Sequence, residues 1–175
     1  ATIGYVDILA TAGDATSAIN STGDDLILLI AEAVGSITIE LDSSSLLADA
    51  EDFTEVRATL LNTLGNPMNA GTGVNFETTG GGLDDVGPVV DPQPTEDAVT
   101  NSSGVATVYL ESSTTAGQYF VKATSGSKIA LTQVDFVAGL ADAGESSLTV
   151  SPGTIPADGI STATLTLVAK DENGN

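Results

Sequence analysis

Carboxylates are the one group of side chains plentiful enough in this sequence to suggest chemistry. They gather at Asp49, Glu51 and Asp52, at Asp84, Asp85 and Asp91, at Glu96 and Asp97, and at Asp171 and Glu172. Two chemistries use such groups. A calcium ion needs several oxygen ligands converging at about 2.3–2.6 Å. A glycosidase needs two carboxyls flanking a sugar bond. The run Asp171-Glu172-Asn173-Gly174-Asn175 has the look of a calcium loop, but it lacks the alternating ligand spacing and the closing bidentate Glu. The places expected to hold a structural calcium ion, were one bound, are 32–36, 141–145 and the acidic stretch 84–97. Sugar hydrolysis would want aromatic platforms, and the chain has four Phe, three Tyr and no Trp.

The missing residue types exclude more. With no His and no Cys, there is no His- or Cys-based nucleophile, general base, zinc site, haem ligand, iron–sulfur ligand or disulfide. Four basic residues against 24 acids give a net charge of -20, which rules out a basic track for nucleic acid. Lys122, Lys128 and Lys170 raise a lysine–asparagine cross-link of the kind found in some surface fibres. Lys122 and Lys128 flank Ser125-Gly126-Ser127, however, and are expected to lie along a hairpin surface. Asn20-Ser21-Thr22 and Asn101-Ser102-Ser103 match the glycan acceptor triplet, a pattern frequent by chance. No catalytic, cofactor-binding or metal-ligating residue is singled out, and the chain is not expected to be an enzyme.

The elements that would position these groups read as strands. Hydrophobic residues make up 41% of 175, too many for a disordered acidic tail. Period-two alternation recurs at Ile37-Thr38-Ile39-Glu40-Leu41, Val56-Arg57-Ala58-Thr59-Leu60, Val74-Asn75-Phe76, 105–110, 119–123 and 165–169. Turn clusters separate them: Gly65-Asn66-Pro67, Thr79-Gly80-Gly81-Gly82, Asn101-Ser102-Ser103-Gly104 and Ser125-Gly126-Ser127. The acids and Thr of 45–55 lack a helical stripe and read as loop leading into a strand. The stretch 80–101, with Pro88, Pro92 and Pro94, is the least regular, and it is the expected contact region for a partner. The longest apolar run, 26–31, is strand-sized, so no membrane insertion is expected in this segment. Ala1 opens no charged n-region, so no signal peptide is expected.

The chain also repeats itself. At a shift of 109 residues, Ile39-Glu40-Leu41-Asp42 falls on Leu148-Thr149-Val150-Ser151, and Ala48-Asp49 falls on Ala157-Asp158. Val56, Ala58 and Leu60 fall on Leu165, Leu167 and Ala169, and Gly65-Asn66 falls on Gly174-Asn175. Ala1-Thr2-Ile3 is similar to Ala106-Thr107-Val108, and Thr11-Ala12-Gly13 to Thr115-Ala116-Gly117. These matches divide the chain into the last strands of a first repeat (1–33), a complete repeat (34–142) and the first strands of a third (143–175). The outer pieces offer too few strands to bury a core alone. The chain is thus expected to be an excerpt of a longer tandem array, or to have its ends completed by neighbouring identical chains.

At this point a family resemblance emerges. Leu148-Thr149-Val150-Ser151-Pro152, then Ile155-Pro156-Ala157-Asp158-Gly159, then Thr162-Ala163-Thr164-Leu165-Thr166-Leu167 and Lys170-Asp171-Glu172-Asn173-Gly174-Asn175 resemble the opening of bacterial immunoglobulin-like repeats of the invasin and intimin type. The complete repeat carries a degenerate opening, with Ala48-Asp49-Ala50 for Ala-Asp-Gly. Its continuation fits through Val74-Asn75-Phe76, Ser103-Gly104-Val105-Ala106-Thr107-Val108 and Ala116-Gly117-Gln118-Tyr119-Phe120-Val121-Lys122-Ala123. The resemblance implies an all-β fold of tandem immunoglobulin-like antiparallel β-sandwiches. It implies an extracellular bacterial surface protein in which such segments act as spacer or stalk for adhesion, with neighbouring repeats and a host or surface ligand as partners. The alternative is a filament subunit assembled head-to-tail. No cofactor is implied.

Overall fold

A computed structural model describes residues 9–12, 15–18, 32–87 and 89–175; the apolar run 26–31 and Pro88 lie outside them. Thirteen strands and no helix are found among the described residues, and none of these residues forms a membrane-crossing helix. β1 (Leu9–Ala12) pairs antiparallel with β2 (Ala15–Ala18).

The central body is a sandwich of two sheets. One holds β3 (Val34–Leu41), β5 (Phe53–Asn62), β9 (Val105–Glu111) and β7 (Gly82–Asp84) in the spatial order β3-β5-β9-β7. The other holds β4 (Ser45–Leu47), β11 (Lys128–Val137), β10 (Gly117–Ser125), β6 (Gly73–Thr78) and β8 (Thr95–Val99) in the order β4-β11-β10-β6-β8. All pairings are antiparallel except β4 with β11. This is the all-β sandwich expected from the alternating pattern.

Period-two alternation builds the core directly. Along β5, Val56, Ala58 and Leu60 point inward and are fully buried. Leu110 of the adjacent β9, and Phe76 of β6 and Val121 of β10 in the facing sheet, belong to the same core cluster, each at 0% exposure. The same inward parity continues to Thr54 and Asn62 at the two ends of β5, where polar side chains close the layer. Both are satisfied: Thr54 Oγ1 accepts from the Ser43 N–H at 2.8 Å, and Asn62 Oδ1 accepts from Leu64 and Asn66 N–H at 2.9 Å each.

The hairpin of β12 (Ser147–Ser151) and β13 (Thr164–Val168) follows the sandwich. Its register pairs Val150 with Leu165 and Leu148 with Leu167. β3 and β5 pair Leu41 with Val56 and Ile39 with Ala58, so the two hairpins share one register at the 109-residue shift. Their surroundings differ. Val56 and Ala58 are at 0% exposure, whereas Leu165 and Leu167 are at 66% and 67%.

The stretch 80–101 is more regular than its composition suggests. It contains β7 and β8, and the Leu83 and Gln93 backbones exchange hydrogen bonds of 2.7 and 2.9 Å across it. Asp84 organises the remainder, since its carboxylate accepts from the N–H groups of Val86, Val90 and Asp91 at 3.1, 2.9 and 3.2 Å. An acid-capped turn of this kind has no hydrophobic period, so the strands beside it are not visible as alternation.

One backbone position carries a measurable strain. Ala50 sits at φ 58°, in the left-handed region, and Gly159, at the shifted position, sits at φ 74°. Both follow an Asp that caps the turn: Asp49 Oδ1 accepts from Glu51 and Asp52 N–H, and Asp158 Oδ1 accepts from Ile160 and Ser161 N–H. A β-carbon in that region costs about 1–2 kcal/mol. Ala50→Gly is therefore expected to stabilise the sandwich by about 1 kcal/mol, less the extra flexibility of Gly in the unfolded chain. Urea unfolding checks this, and an unchanged or lowered midpoint contradicts it.

Candidate functional site: the junction turns

Among the described residues, Asp49, Asp84, Asp142, Asp158 and Asp171 cap turns, and the most heavily bonded of these, Asp171, lies where the central sandwich meets the β12–β13 hairpin. Asp171 is 3% exposed. Its Oδ1 accepts from the N–H groups of Asn173 and Asn175 at 3.1 and 2.8 Å. Its Oδ2 accepts from Gly139 N–H and from the Asn175 side-chain amide, both at 2.9 Å. Gly174, at φ 83°, supplies the left-handed residue that closes the turn, and its N–H bonds the Asp171 carbonyl at 3.0 Å.

The turn then reaches into the sandwich. The Asn173 side-chain amide donates to the Ala48 carbonyl at 3.1 Å, in the β4–β5 loop. The Asn175 amide accepts from Ala116 N–H at 2.8 Å and donates to the Thr114 carbonyl at 3.0 Å, both in the β9–β10 loop. With the Gly139–Asp171 bond, four hydrogen bonds tie the turn to three separate loops at one end of the sandwich. Three loops hold a turn in orientation, where a single contact would leave it free to pivot.

The opposite end of the sandwich carries the same turn. Asn62 N–H bonds the Asn66 carbonyl at 2.8 Å, and Gly65 N–H bonds the Asn62 carbonyl at 3.0 Å. Asp171 N–H and Gly174 N–H repeat these bonds at 3.1 and 3.0 Å, 109 positions later. The capping residue differs for a chemical reason. Asp171 faces an N–H of Gly139 and needs an acceptor. Asn62 faces the Glu32 carboxylate and donates to it, and Asn69 donates to the same carboxylate at 3.4 Å. A second carboxylate at position 62 would repel Glu32.

Hydrogen bonding sets the acidity of these caps. The Asn175 side chain first, then the Gly139 N–H, hold the Asp171 carboxyl down at about 2, against an ordinary 3.8. The Ser161 and Ile160 N–H groups do the same for Asp158, also to about 2. Asp49 and Asp84 are lowered chiefly by backbone N–H groups, of Asp52 and of Val90 respectively.

Several carboxylates in the stretches singled out for calcium are likewise engaged by hydrogen bonds. Asp142 Oδ1 accepts from Gly144 and Glu145 N–H at 2.7 and 3.2 Å. Glu32 is bound by Asn62 and Asn69, and Asp84 by three N–H groups. Asp49, Asp142 and Asp171 do border one hollow of about 360 Å³ at the junction. Among the described residues, no group of three or more acids converges in a way that could hold a metal ion. Lys122 is taken by an ion pair with Glu77 at 2.7 Å. In the sequence the run 171–175 has only the look of a calcium loop; the contacts of Asn173 and Asn175 with a different part of the chain carry no sequence signal beyond the repeated Gly-Asn pair.

Comparison with known proteins places this geometry. No curated protein sequence matches the chain significantly. The crystal structure of invasin, described as a bacterial integrin-binding protein, superposes with a TM-score of 0.64 at 25% identity, over 97% of this chain and 33% of that one. The InvD structure from Yersinia pseudotuberculosis superposes with a TM-score of 0.59 at 25% identity, over 80% of this chain and 38% of that one. The chain thus spans about a third of the length of each of these two structures. Residues 33–139, which include every strand of the central sandwich, match the family model described as Invasin, domain 3, and the chain belongs to that family of immunoglobulin-like β-sandwich domains of the invasin and intimin type.

Proposed function

We propose that this chain is a structural segment of an extracellular bacterial surface protein, in which immunoglobulin-like units in series act as spacer or stalk for adhesion. In this reading 34–142 is one complete unit, 143–175 opens the next and 1–33 closes the preceding one. The observation that carries it is the pair of equivalent turns, Asn62–Asn66 and Asp171–Asn175, each joining the start of one unit to what precedes it. A spacer needs junctions that resist bending, and a turn bonded to three loops supplies one. Invasin is described as integrin-binding; by analogy, the segment would present an adhesive module to a host ligand without itself performing a reaction.

A second reading is a filament subunit, in which neighbouring copies cover the exposed apolar face of β12–β13. Leu148, Val150, Leu165 and Leu167 are each more than half exposed there, and their equivalents in the sandwich face a second sheet. Negative-stain electron microscopy of the protein at high concentration, with and without a chelator, separates the two. Single thin rods of fixed length are expected for the spacer. Long filaments with a regular axial repeat would overturn it in favour of assembly, and a compact particle would overturn both. Loss of order on chelation would assign calcium a structural role.

A further inference from the structure

The sandwich leaves a groove between its two sheets on the side of β8. β8 is the outer strand of its sheet and β7, only three residues long, is the outer strand of the other. β7 covers β9 from Tyr109 to Glu111 and no further. A groove of about 700 Å³ lies here, bordered by Asp97, Ala98 and Val99 of β8, by Gly73 to Asn75 of β6 and Thr124 to Gly126 at the end of β10 behind it, and by Thr107 of β9 and Asp85 after β7.

Among the described residues, no strand pairs with the backbone groups along this edge. Thr78 N–H bonds the Pro94 carbonyl and Thr100 N–H bonds the Thr72 carbonyl. The antiparallel ladder alternates, so Glu96 and Ala98 bond β6, and the amides of Thr95, Asp97 and Val99 point outward. By the same count the Gly104 and Ser112 backbones bond β5, so Thr107 points toward the groove. Val105 also points that way but is bonded by Asn101. β8 thus presents an edge of five residues, about 17 Å long, of the kind to which extended peptides add a strand.

The charge at this edge selects the occupant. Asp85 and Asp97 border the groove, and Glu96 and Asp84 stand beside them. Burial first, then the charges of Asp85, Asp84 and Asp97, push the Glu96 carboxyl above its usual range. A second copy of this chain would bring another acidic edge and a net charge of -20, and like charges opposite each other on paired strands destabilise the pairing. We infer that the open edge of β8, with Thr107 across from it, docks an extended strand of another protein bearing lysine or arginine. In the antiparallel register, a basic side chain opposite Asp97 and a β-branched one opposite Val99 would lie on the same face, two residues apart.

The test titrates the full chain with a peptide of two valine-threonine-lysine-threonine repeats at about 50 mM salt, where surface attraction is only partly screened. Binding is followed by amide chemical shifts and calorimetry. The expected result is a response centred on the amides of Thr95, Asp97, Val99 and Thr107, with no binding by the peptide carrying glutamate for lysine. Val99→Pro removes an outward N–H that makes no bond to β6, and Asp97→Lys reverses the charge. Each is expected to weaken binding roughly tenfold. Thermal melting verifies that each variant is folded, and Asp97→Lys alone decides the matter if Val99→Pro melts early. Unchanged affinity in the folded variants, shifts spread along the acidic surface, or no binding at all would overturn the proposal. None of these results bears on the spacer reading, which rests on the opposite ends of the sandwich.

Discussion

Phe76→Ala is expected to lower the unfolding free energy of the central sandwich by about 3–5 kcal/mol. Among the described residues, Phe76 is the largest side chain fully removed from water, and it belongs to the core cluster that also holds Val56, Leu60 and Val121. Its removal leaves a cavity that the pleated strands cannot collapse into without breaking their register. A domain of about a hundred residues has a total stability of about 5–15 kcal/mol, so the loss is a large fraction of the whole. The midpoint of thermal unfolding, followed by circular dichroism at neutral pH, is expected to fall by roughly 15–30 °C. Leu165→Ala is the matched control. Leu165 occupies the position equivalent to Val56, but it is 66% exposed, so its truncation is expected to change stability by no more than about 0.5 kcal/mol. A fall of less than about 5 °C for Phe76→Ala, or equal losses from the two variants, would show that the buried layer is not what holds the sandwich.

The second large effect concerns orientation. Asp171→Ala removes the acceptor of four hydrogen bonds, including the one from Gly139 that reaches into the sandwich. It also frees Asn175, whose side chain binds the β9–β10 loop only while the turn holds it in place. The central sandwich is expected to unfold as before, because none of its core side chains is touched. The β12–β13 hairpin is expected to move independently, with amide order parameters falling from about 0.85 to below about 0.6.

Acid should produce the same uncoupling in the unaltered chain. The folded Asp171 carboxyl titrates at about 2, below its ordinary 3.8. A depressed acid contributes stability that is complete above its unfolded value and is lost as pH falls through its folded value. The junction is therefore expected to be tight above about pH 4 and to loosen between about pH 4 and 2. Asp171→Ala should show no such step. Nuclear magnetic relaxation across that range decides it, and a hairpin that stays aligned in the variant, or loosens only above pH 5, contradicts the assignment to Asp171.

What could be read from the sequence follows from periodicity. Val56, Ala58 and Leu60 alternate with polar neighbours, and a strand with one buried face has no other way to place them. The 109-residue repeat likewise marked Gly65-Asn66 and Gly174-Asn175 as related, since a left-handed Gly is written in the residue itself. The absence of His and Cys closes this segment to chemistry that needs an imidazole or a thiolate.

Tertiary structure decided the rest, because it depends on what lies opposite. Leu165 and Val56 sit in like sequence surroundings; one is exposed and the other buried only because a second sheet covers one of them. The sequence offered the acids as surface charge or as calcium ligands; their use as caps depends on what faces them, three backbone N–H groups at Asp84 and two at Asp171, with a third reaching it from the sandwich. The short strand β7 and the edge strand β8 carry too few residues for alternation to register, yet together they create the open groove beside Thr107. Local periodicity specifies which face of a strand is apolar. The partner of that face, and the polar groups left facing outward, are set by pairings between residues far apart in the chain.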